Sequence, residues 1–469
     1  MKKYLYMICL AVGMNVFSTG CDNILDVEPN NGIEMNEAIT DANSAARAVQ
    51  GIYSAFQSSD YYGLAYLFYQ DLYADNLYFD GTFTTHAEIG NRRINPSNLQ
   101  IADTWGSIYT AIGRANWVIQ SVEALESLSP EEKAAFTGEA KFLRALAYFD
   151  LVKVFGGVPI ITRVPTNPDE VQSEGRSTEA EVYALIEQDL REAETSLAGT
   201  ENPQQPYAAS GLAATALLAR VYLQQGKWGQ AADRANLVIN NGPYRLANNF
   251  RDIFSTTGNT QDASTEEVIF ELAFSRDDQN ALASSSAAPG SLGQRFYVDF
   301  DFYDELVASA DEGDTRLESS VIFDPQYEVV KIRKYNDVIN NGDNVPIIRL
   351  AEMYLIRAEA NARMAAAGAA PSRAVIDDIN AIRNRAGLSE AAPSTNEDAL
   401  QEILTQRRYE FAFEGMRFMD LKRYNLTCEV LDFCPASGTD LDNTFRDLWP
   451  IPLQQIETNP NLAPQNRGY

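Results

Sequence analysis

The chain has 469 residues and a formal net charge of −28, with 45% hydrophobic and 22% charged residues, which is the composition of a globular protein. So acidic a chain disfavours nucleic acid and anionic lipid surfaces as partners, because both are bound through Lys and Arg presented to phosphate. The single histidine, His86, excludes metal sites with two or three His ligands and any catalytic triad that does not use it.

The N-terminal stretch has the order of a secretory signal. Lys2 and Lys3 precede an apolar run over residues 4–17, and small residues then lead to Cys21. This run is shorter than the ~20 residues that a membrane-spanning helix needs. The junction resembles the lipobox of bacterial lipoproteins, in which Cys21 would be lipidated and become the mature N-terminus. An ordinary cleaved signal with an incidental cysteine is the alternative.

These features divide the chain into three predicted segments. They are a signal peptide over residues 1–20, a lipid-anchored tether over 21–40 and a single domain over 41–469. Lipidation of Cys21 with more than one acyl chain would anchor the protein stably, because one chain alone binds a membrane only marginally. Such an anchor requires no transmembrane helix.

Most of the domain shows the apolar spacing of α-helices. The clearest helix start is at Ser129, which is followed by Pro130 and Glu132, the pattern of a capping box with Pro in the first turn. The predicted helices cover residues 41–56, 99–125, 130–155, about 178–197 and about 397–424.

Residues 209–240 form the clearest internal unit, in which alanines line two predicted helices separated by a Gly-containing turn. This unit resembles a tetratricopeptide repeat, whose small residues let antiparallel helices approach closely, and segments 105–155 and 349–385 look like degenerate relatives. Because such repeats stack to bury their apolar faces, we predict a mostly α fold. The tetratricopeptide-like helix pairs would form a scaffold over about 41–240 and 349–424.

Residues 243–348 differ from this scaffold. They mix short β-like runs at 268–272 and 329–332 with loops rich in Ser, Ala, Gly and Asp. We predict a loop-rich insertion with short β segments over about 243–348. Long excursions from a rigid scaffold are where binding usually occurs.

Short motifs run in order along the whole chain. They are LDVEP at 25–29 after Cys21, RALAY at 144–148, FGGVP at 155–159, RLAEMYLIRAEA at 349–360, RRYEFAFEGMR at 407–417, DLKR at 420–423, WPIP at 449–452 and NPNL at 459–462. Each motif alone is weak. Their order and joint coverage resemble the SusD/RagB surface lipoproteins of Bacteroidetes glycan- and peptide-uptake systems.

The resemblance implies an α-helical fold of tetratricopeptide-like pairs, held at the cell surface in the outer membrane by lipid on Cys21. It also implies that the protein binds a nutrient without cleaving it, an oligosaccharide in most members of the family and a peptide in some. The partner would be a SusC-like TonB-dependent transporter, over which such proteins act as a lid. We expect no enzymatic activity, no cofactor and no metal ion.

A shallow glycan site needs exposed aromatic rings to cover the C–H faces of sugars, and polar neighbours to bind the hydroxyls. Two loop-like stretches fit this description, and we predict that they meet to form the ligand face. The first comprises Asp75, Asn76, Tyr78, Phe79, Asp80 and Phe83, and the second comprises Gln294, Arg295, Phe296 and Tyr297. Packing under loops or against the transporter is the alternative for each residue.

Other conspicuous residues have simpler explanations. We predict that His86 is a surface or loop residue without a functional role. The acidic run over 299–304 lacks the spacing of a calcium loop and is explained as the start of a helix, where the helix dipole favours acids. The tryptophans predicted to lie in the core are Trp105, Trp117, Trp228 and Trp449.

Two cysteines remain after the signal and the lipidation site are set aside. Cys428 and Cys434 lie in a loop-like stretch, and in an oxidising compartment they could form a small disulfide loop. Two unpaired thiols are the alternative.

Two other functional classes compete with nutrient binding. One is a surface glycoside hydrolase, which needs two carboxylates about 5–10 Å apart. The chain has 65 acidic residues and therefore offers many possible pairs. Sugars released from candidate glycans would identify a hydrolase. A purely protein-binding repeat scaffold would instead copurify with a transporter and bind neither glycans nor peptides.

Overall fold

A computed structural model describes residues 38–165, 170, 173–254, 266–287, 295–366, 368–431 and 446–469. The predicted signal peptide, Cys21 and nearly all of the tether lie outside the described residues and stay predictions. Residues 41–469 form one compact unit. The expected division of the chain into segments stays a prediction.

Helices make up most of this unit. Its N-terminal half contains α1 (Ala42–Phe56), α2 (Ala65–Tyr73), α3 (Thr84–Gly90), α4 (Leu99–Ala124), α5 (Pro130–Phe155), α6 (Glu179–Ser196), α7 (Gly211–Gln224) and α8 (Trp228–Asn241). Its C-terminal half contains α9 (Leu282–Ser285), α10 (Phe300–Asp311), α11 (Arg316–Ser320), α12 (Leu350–Met364), α13 (Arg373–Ala386), α14 (Asn396–Phe411), α15 (Arg417–Arg423), α16 (Thr427–Leu431) and α17 (Leu453–Thr458). Short 3-10 helices cover Phe250–Phe254 and Pro460–Leu462.

Helix α5 is the central helix of the N-terminal half. Its predicted capping box is confirmed, since the Ser129 amide donates to the Glu132 carboxylate at 2.8 Å and the Ser129 hydroxyl accepts from the Glu132 amide at 3.2 Å. Every residue from Phe142 to Phe155 is buried, as expected of a helix packed on all sides. Its neighbours are α4 and α6.

The predicted helix pairs are all present. Helices α4 and α5 pack together, as do α7 with α8 and α12 with α13, and α8 also packs on α12. Fully buried alanines such as Ala216 and Ala235 lie in α7 and α8 and permit the close approach. The mostly α, tetratricopeptide-like scaffold is therefore confirmed.

The predicted continuous helix over about 397–424 is wrong, because the chain breaks between α14 and α15. Phe413 and Gly415 adopt positive φ angles of 66° and 69° there. The buried carboxylate of Asp71 binds the turn, accepting from the amides of Gly415 at 2.9 Å and Phe413 at 3.4 Å. Burial raises the pKa of Asp71 to about 6. A contact with a residue over 300 positions away thus decides where the helix ends.

The short β segments of the insertion form two-stranded antiparallel sheets. Strand β1 (Leu77–Phe79) pairs with β3 (Phe296–Val298), β2 (Val268–Leu272) with β6 (Val345–Arg349), and β4 (Val321–Asp324) with β5 (Val329–Ile332). Strands β2 and β5 coincide with the two predicted β-like runs. Strand β3 also contacts β5, so the β1–β3 pair lies beside the β4–β5 hairpin.

A balanced cluster of buried charges joins the insertion to the helical scaffold. Arg349, at the end of β6, contacts Glu267 at 2.8 Å, Glu410 at 2.9 Å and Glu414 at 2.9 Å. Lys334 contacts Glu414 at 2.8 Å, and Arg385 pairs with both Glu410 and Glu267. We call these residues the ionic core: Glu267, Lys334, Arg349, Arg385, Glu410 and Glu414.

Candidate functional site

The structure brings the two predicted ligand-binding stretches together. Strands β1 and β3 pair so that Tyr78 lies opposite Tyr297 and Phe79 opposite Phe296. The amide of Asp80 extends the ladder by donating to the Arg295 carbonyl at 3.0 Å. Gln294 lies outside the described residues. The role of this pair in ligand binding stays a prediction.

The polar residues before β1 fix the strand in place. The Asp75 carboxylate accepts two hydrogen bonds of 2.8 Å from Arg417 and lies 2.9 Å from Arg408. Burial alone would raise the pKa of Asp75, but the hydrogen bonds from Arg417 and the charge of Arg408 lower it below its ordinary value. Asn76 is fully buried and donates to Asp71 at 2.6 Å. These contacts fix the position of the residues that lead into β1.

The predicted aromatic residues divide into buried and accessible ones. Phe296 and Tyr297 have no exposed surface, so they are buried rings of the strand that pairs with β1. Tyr78 and Phe79 are half-buried, and Phe83 is 58% exposed. Beside them, the Asp80 side chain is half exposed and lies 3.9 Å from the partly exposed guanidinium of Arg295.

The prediction for His86 as a surface or loop residue is wrong. It lies in helix α3 and is 1% exposed. Its ring stacks on Phe79 with centroids 4.9 Å apart and contacts Phe296 at 5.3 Å, while Nε2 is 3.1 Å from the Tyr69 hydroxyl. Burial lowers the pKa of His86 to about 4. The neutral imidazole therefore supports the ring of Phe79 from below.

Three accessible aromatic residues were missed by the sequence reasoning. Phe300 is 44% exposed and stacks on Tyr78 at 6.2 Å, with the ring planes 24° apart. Phe323 of β4 is 41% exposed and stacks on Tyr303 at 6.2 Å, with an angle of 23°. Phe300 and Tyr303 lie one turn apart on the same face of α10, which makes the two stacked pairs neighbours.

We call Tyr78, Phe300, Tyr303 and Phe323 the aromatic strip. It runs from β1 across α10 to β4, three elements that are distant in sequence. Flat aromatic faces of this kind suit the C–H faces of sugar rings, and the surrounding carboxylates can accept hydrogen bonds from hydroxyls. The arrangement is an open surface.

The acidic residues at the start of α10 act as expected for a helix start. The Asp299 side chain is the N-cap and accepts from the Asp301 amide at 3.0 Å. Across the ranges that the structure describes, no group of three His, Cys, Asp or Glu residues is arranged to hold a metal ion.

The tryptophans lie outside the aromatic strip. Trp105 and Trp449 are buried, which confirms the prediction for these two, and both contact Phe155. Trp117 and Trp228 are only half-buried.

Two further features bear on the predicted anchor and disulfide. Cys428 is disulfide-bonded, while Cys434 lies outside the described residues, so the pairing of these two cysteines stays a prediction. Among the helices of the described part of the chain, none combines the length and the apolar character needed to cross a membrane.

Comparison with known proteins agrees with the motifs. A family model described as "Starch-binding associating with outer membrane" matches residues 24–223, and one described as "SusD family" matches residues 318–469. The chain belongs to the SusD/RagB family. Members of this family include carbohydrate-binding proteins associated with the outer membrane.

Relatives match over most of their length. The SusD-like protein P2 of Formosa agariphila is 29% identical over 90% of this chain and 92% of its own length. The SusD-like protein P25 of the same species is 24% identical, with 96% of both chains covered. The starch-binding protein SusD of Bacteroides thetaiotaomicron is 23% identical over 74% of this chain and 75% of its own.

Solved structures show the same fold. A laminarin-binding SusD-like protein superposes with a TM-score of 0.76 at 26% identity, covering 92% of this chain and 100% of its own. A SusD superfamily protein from Bacteroides vulgatus gives a TM-score of 0.77 at 22% identity, covering 92% of this chain and 99% of its own.

Proposed function

We propose that the protein is a cell-surface lipoprotein that captures oligosaccharides on the aromatic strip and passes them uncleaved to a SusC-like TonB-dependent transporter in the outer membrane. The aromatic strip carries this proposal, because two stacked, partly exposed ring pairs line up across three elements and present an apolar surface that suits a flat ligand face. The laminarin-binding structural neighbour and the starch-binding relative support a sugar ligand.

Binding without cleavage is supported by the roles that three of the nearby carboxylates already have. Glycoside hydrolysis needs one carboxyl group to donate a proton and another to act as nucleophile or base across a cleft. Here Asp299 caps α10, Asp324 pairs with Lys331 at 2.9 Å, and Glu305 pairs with Arg408 at 2.7 Å. These roles favour a binding protein over a hydrolase.

The central test removes the rings of the aromatic strip. We expect the triple variant Tyr78→Ala, Phe300→Ala, Phe323→Ala to bind its glycan at least about 30-fold more weakly, because three aromatic contacts together contribute at least about 2 kcal/mol. A glycan array on the soluble form lacking residues 1–21 identifies the ligand, and calorimetry on the folded variant gives the affinity.

A matched control changes three exposed apolar residues elsewhere. Leu99→Ala, Leu237→Ala, Met364→Ala removes side chains that are 63%, 40% and 50% exposed, and should leave the affinity unchanged. Unchanged affinity in the strip variant would remove the strip from the site. A further triple variant, Tyr78→Ala, Phe79→Ala, Phe83→Ala, tests the remaining predicted residues in the same way. If a peptide library binds and no glycan does, the ligand is a peptide.

The anchor and the transporter need separate experiments. Cys21→Ala should move the protein from the membrane fraction to the soluble fraction and abolish incorporation of labelled fatty acid. Affinity purification of the anchored wild-type protein should recover a TonB-dependent transporter. Recovery of the chain in the cytosol with Met1 attached would contradict the proposed location.

A further inference from the structure

We propose that the aromatic strip selects uncharged glycan chains and rejects anionic ones, such as uronate-containing or sulfated chains. The selection comes from carboxylates around the strip that have no cation to balance them. The inference rests on the proposed function and narrows its ligand class. The carboxylates would repel anionic glycans, while the aromatic rings bind the sugar.

Each element of the strip carries acidic residues beside its aromatic residue. Asp301 and Asp304 of α10 are exposed, and Asp299 at its start is half-buried. Asp80 follows β1, and Asp324 ends β4 directly after Phe323. A chain lying across the four rings therefore runs past carboxylates along its whole length.

Four cations in the same region are already paired. Arg295 lies 3.9 Å from Asp80, and Lys331 lies 2.9 Å from Asp324. Arg408 is shared between Glu305 and Asp75, and Arg417 also pairs with Asp75. In the part of the chain that the structure describes, Asp299, Asp301 and Asp304 have no cationic partner, so the strip lies in a surplus of negative charge.

The tyrosines of this region respond to the same field. Burial raises the pKa of Tyr78, and the charges of Asp80 and Asp299 raise it further. Burial and the charge of Asp80 likewise raise the pKa of Tyr297, although Arg295 acts in the opposite direction. Burial is the larger cause for both hydroxyls, and the neighbouring carboxylates add to it.

The sequence just before β3 adds no basic residue. Residues 288–294, which precede Arg295, contain neither Lys nor Arg. Uncharged hydroxyls can still donate to the carboxylates, so a neutral chain loses nothing at this surface. An anionic chain would bring several charges close to Asp299, Asp301 and Asp304 and be repelled by each.

The expected discrimination is electrostatic and therefore depends on salt. Like charges placed together at a binding surface suppress the wrong partner, and between exposed groups this effect is screened over about 10 Å at 0.1 M salt. We expect an anionic chain to bind at least about tenfold more weakly than its neutral parent at low salt. The difference should shrink as salt is added.

The test compares glycans that differ in charge alone. The probes are laminarin, starch, xylan and mannan, each with a carboxymethylated derivative and a hydroxyethylated derivative of similar bulk. Calorimetry is performed on the soluble wild-type protein lacking residues 1–21, at about 0.01 M and about 1 M salt. The hydroxyethylated form of a bound glycan should bind like its parent, and the carboxymethylated form at least about tenfold more weakly at low salt.

Two variants with four substitutions each test whether the discrimination comes from the carboxylates around the strip. Asp80→Asn, Asp299→Asn, Asp301→Asn, Asp304→Asn removes the local charge and keeps an N-cap at position 299, since Asn caps as well as Asp. The control, Glu126→Gln, Asp233→Asn, Glu390→Gln, Glu457→Gln, removes as much charge from exposed positions on other elements. We expect the first variant to lose most of the discrimination and the second to keep it.

The outcomes separate this inference from the proposed function. Wild-type protein that binds carboxymethylated and neutral forms equally well overturns the inference and leaves glycan capture intact. The inference is also overturned if the variant with Asp80, Asp299, Asp301 and Asp304 changed to Asn still discriminates between neutral and carboxymethylated glycans. If the folded wild-type protein binds no uncharged glycan, either in calorimetry or on the array, the proposed function fails, and the inference fails with it.

Discussion

The ionic core and the aromatic strip differ in how much of the molecule depends on them. Arg349 is 1% exposed and contacts three carboxylates, so each partner relies on it for charge balance. Phe300 and Phe323 are 44% and 41% exposed and mainly contact one ring each. The core therefore constrains the fold, whereas the strip can change without disturbing it. The predictions below test this contrast through stability.

The largest effect should come from the ionic core. Arg349→Met leaves Glu410 and Glu414 buried with too little positive charge, and we expect a loss of about 3–5 kcal/mol in the free energy of unfolding. Denaturant titration measures it. The exposed pair of Arg373 with Asp377 provides the control, because Arg373→Met should cost less than about 1 kcal/mol.

A double variant keeps this test informative if Arg349→Met does not fold. Arg349→Met with Glu414→Gln restores the charge balance of the ionic core and should recover part of the lost stability. No recovery would show that packing, and not charge, is what Arg349 supplies.

The next effect is a pH dependence at Asp71. Its folded-state pKa of about 6 lies above the ordinary value of 3.8, so the folded protein holds this proton more tightly and loses stability as pH rises from about 4 to about 6. Relative to Asp71→Asn, the wild type should lose about 3 kcal/mol over that range. Parallel pH profiles for the two proteins would contradict the raised pKa.

An effect of similar size and opposite sign is expected at His86, which stacks on Phe79. Its folded-state pKa of about 4 lies below the ordinary 6.5, so the stability that the neutral ring contributes is lost as pH falls from about 6.5 to about 4. His86→Phe keeps a ring against Phe79 and removes the titration. Melting temperatures over this range should decline less in the variant than in the wild type.

The smallest effect on stability should come from the strip itself. Phe323→Ala removes one stacked ring at the surface and should cost less than about 1 kcal/mol of unfolding free energy, while weakening glycan binding less than tenfold. If Phe323→Ala lowers the free energy of unfolding by several kcal/mol, the strip supports the fold and does not differ from the ionic core in this respect.

The contrast also explains what could be predicted from the sequence. Arg349, Glu410 and Glu414 lie in the motifs at 349–360 and 407–417 that identified the family. A buried charge needs particular partners in particular places, so such residues leave a pattern that can be recognised. Those motifs mark the scaffold and say nothing about the ligand.

The strip left no comparable pattern. Phe300, Phe302 and Tyr303 are close in sequence, yet Phe302 is buried while Phe300 is exposed, and the packing of α10 decides which is which. Strand β5 was predicted, but its partner β4 was not, so Phe323 could not be placed. The pairing of Tyr78 with Tyr297 was foreseeable only as the meeting of two aromatic loops.

The composition of the strip has a practical consequence. It contains Phe and Tyr but no Trp, and the two fully buried tryptophans, Trp105 and Trp449, pack on Phe155 in the scaffold. Tryptophan fluorescence, excited selectively, should therefore report unfolding of the scaffold and should not change when a sugar binds to the strip. Melting followed by this signal can be recorded at saturating glycan without optical interference from the ligand, and any upward shift in the midpoint then reads out capture directly.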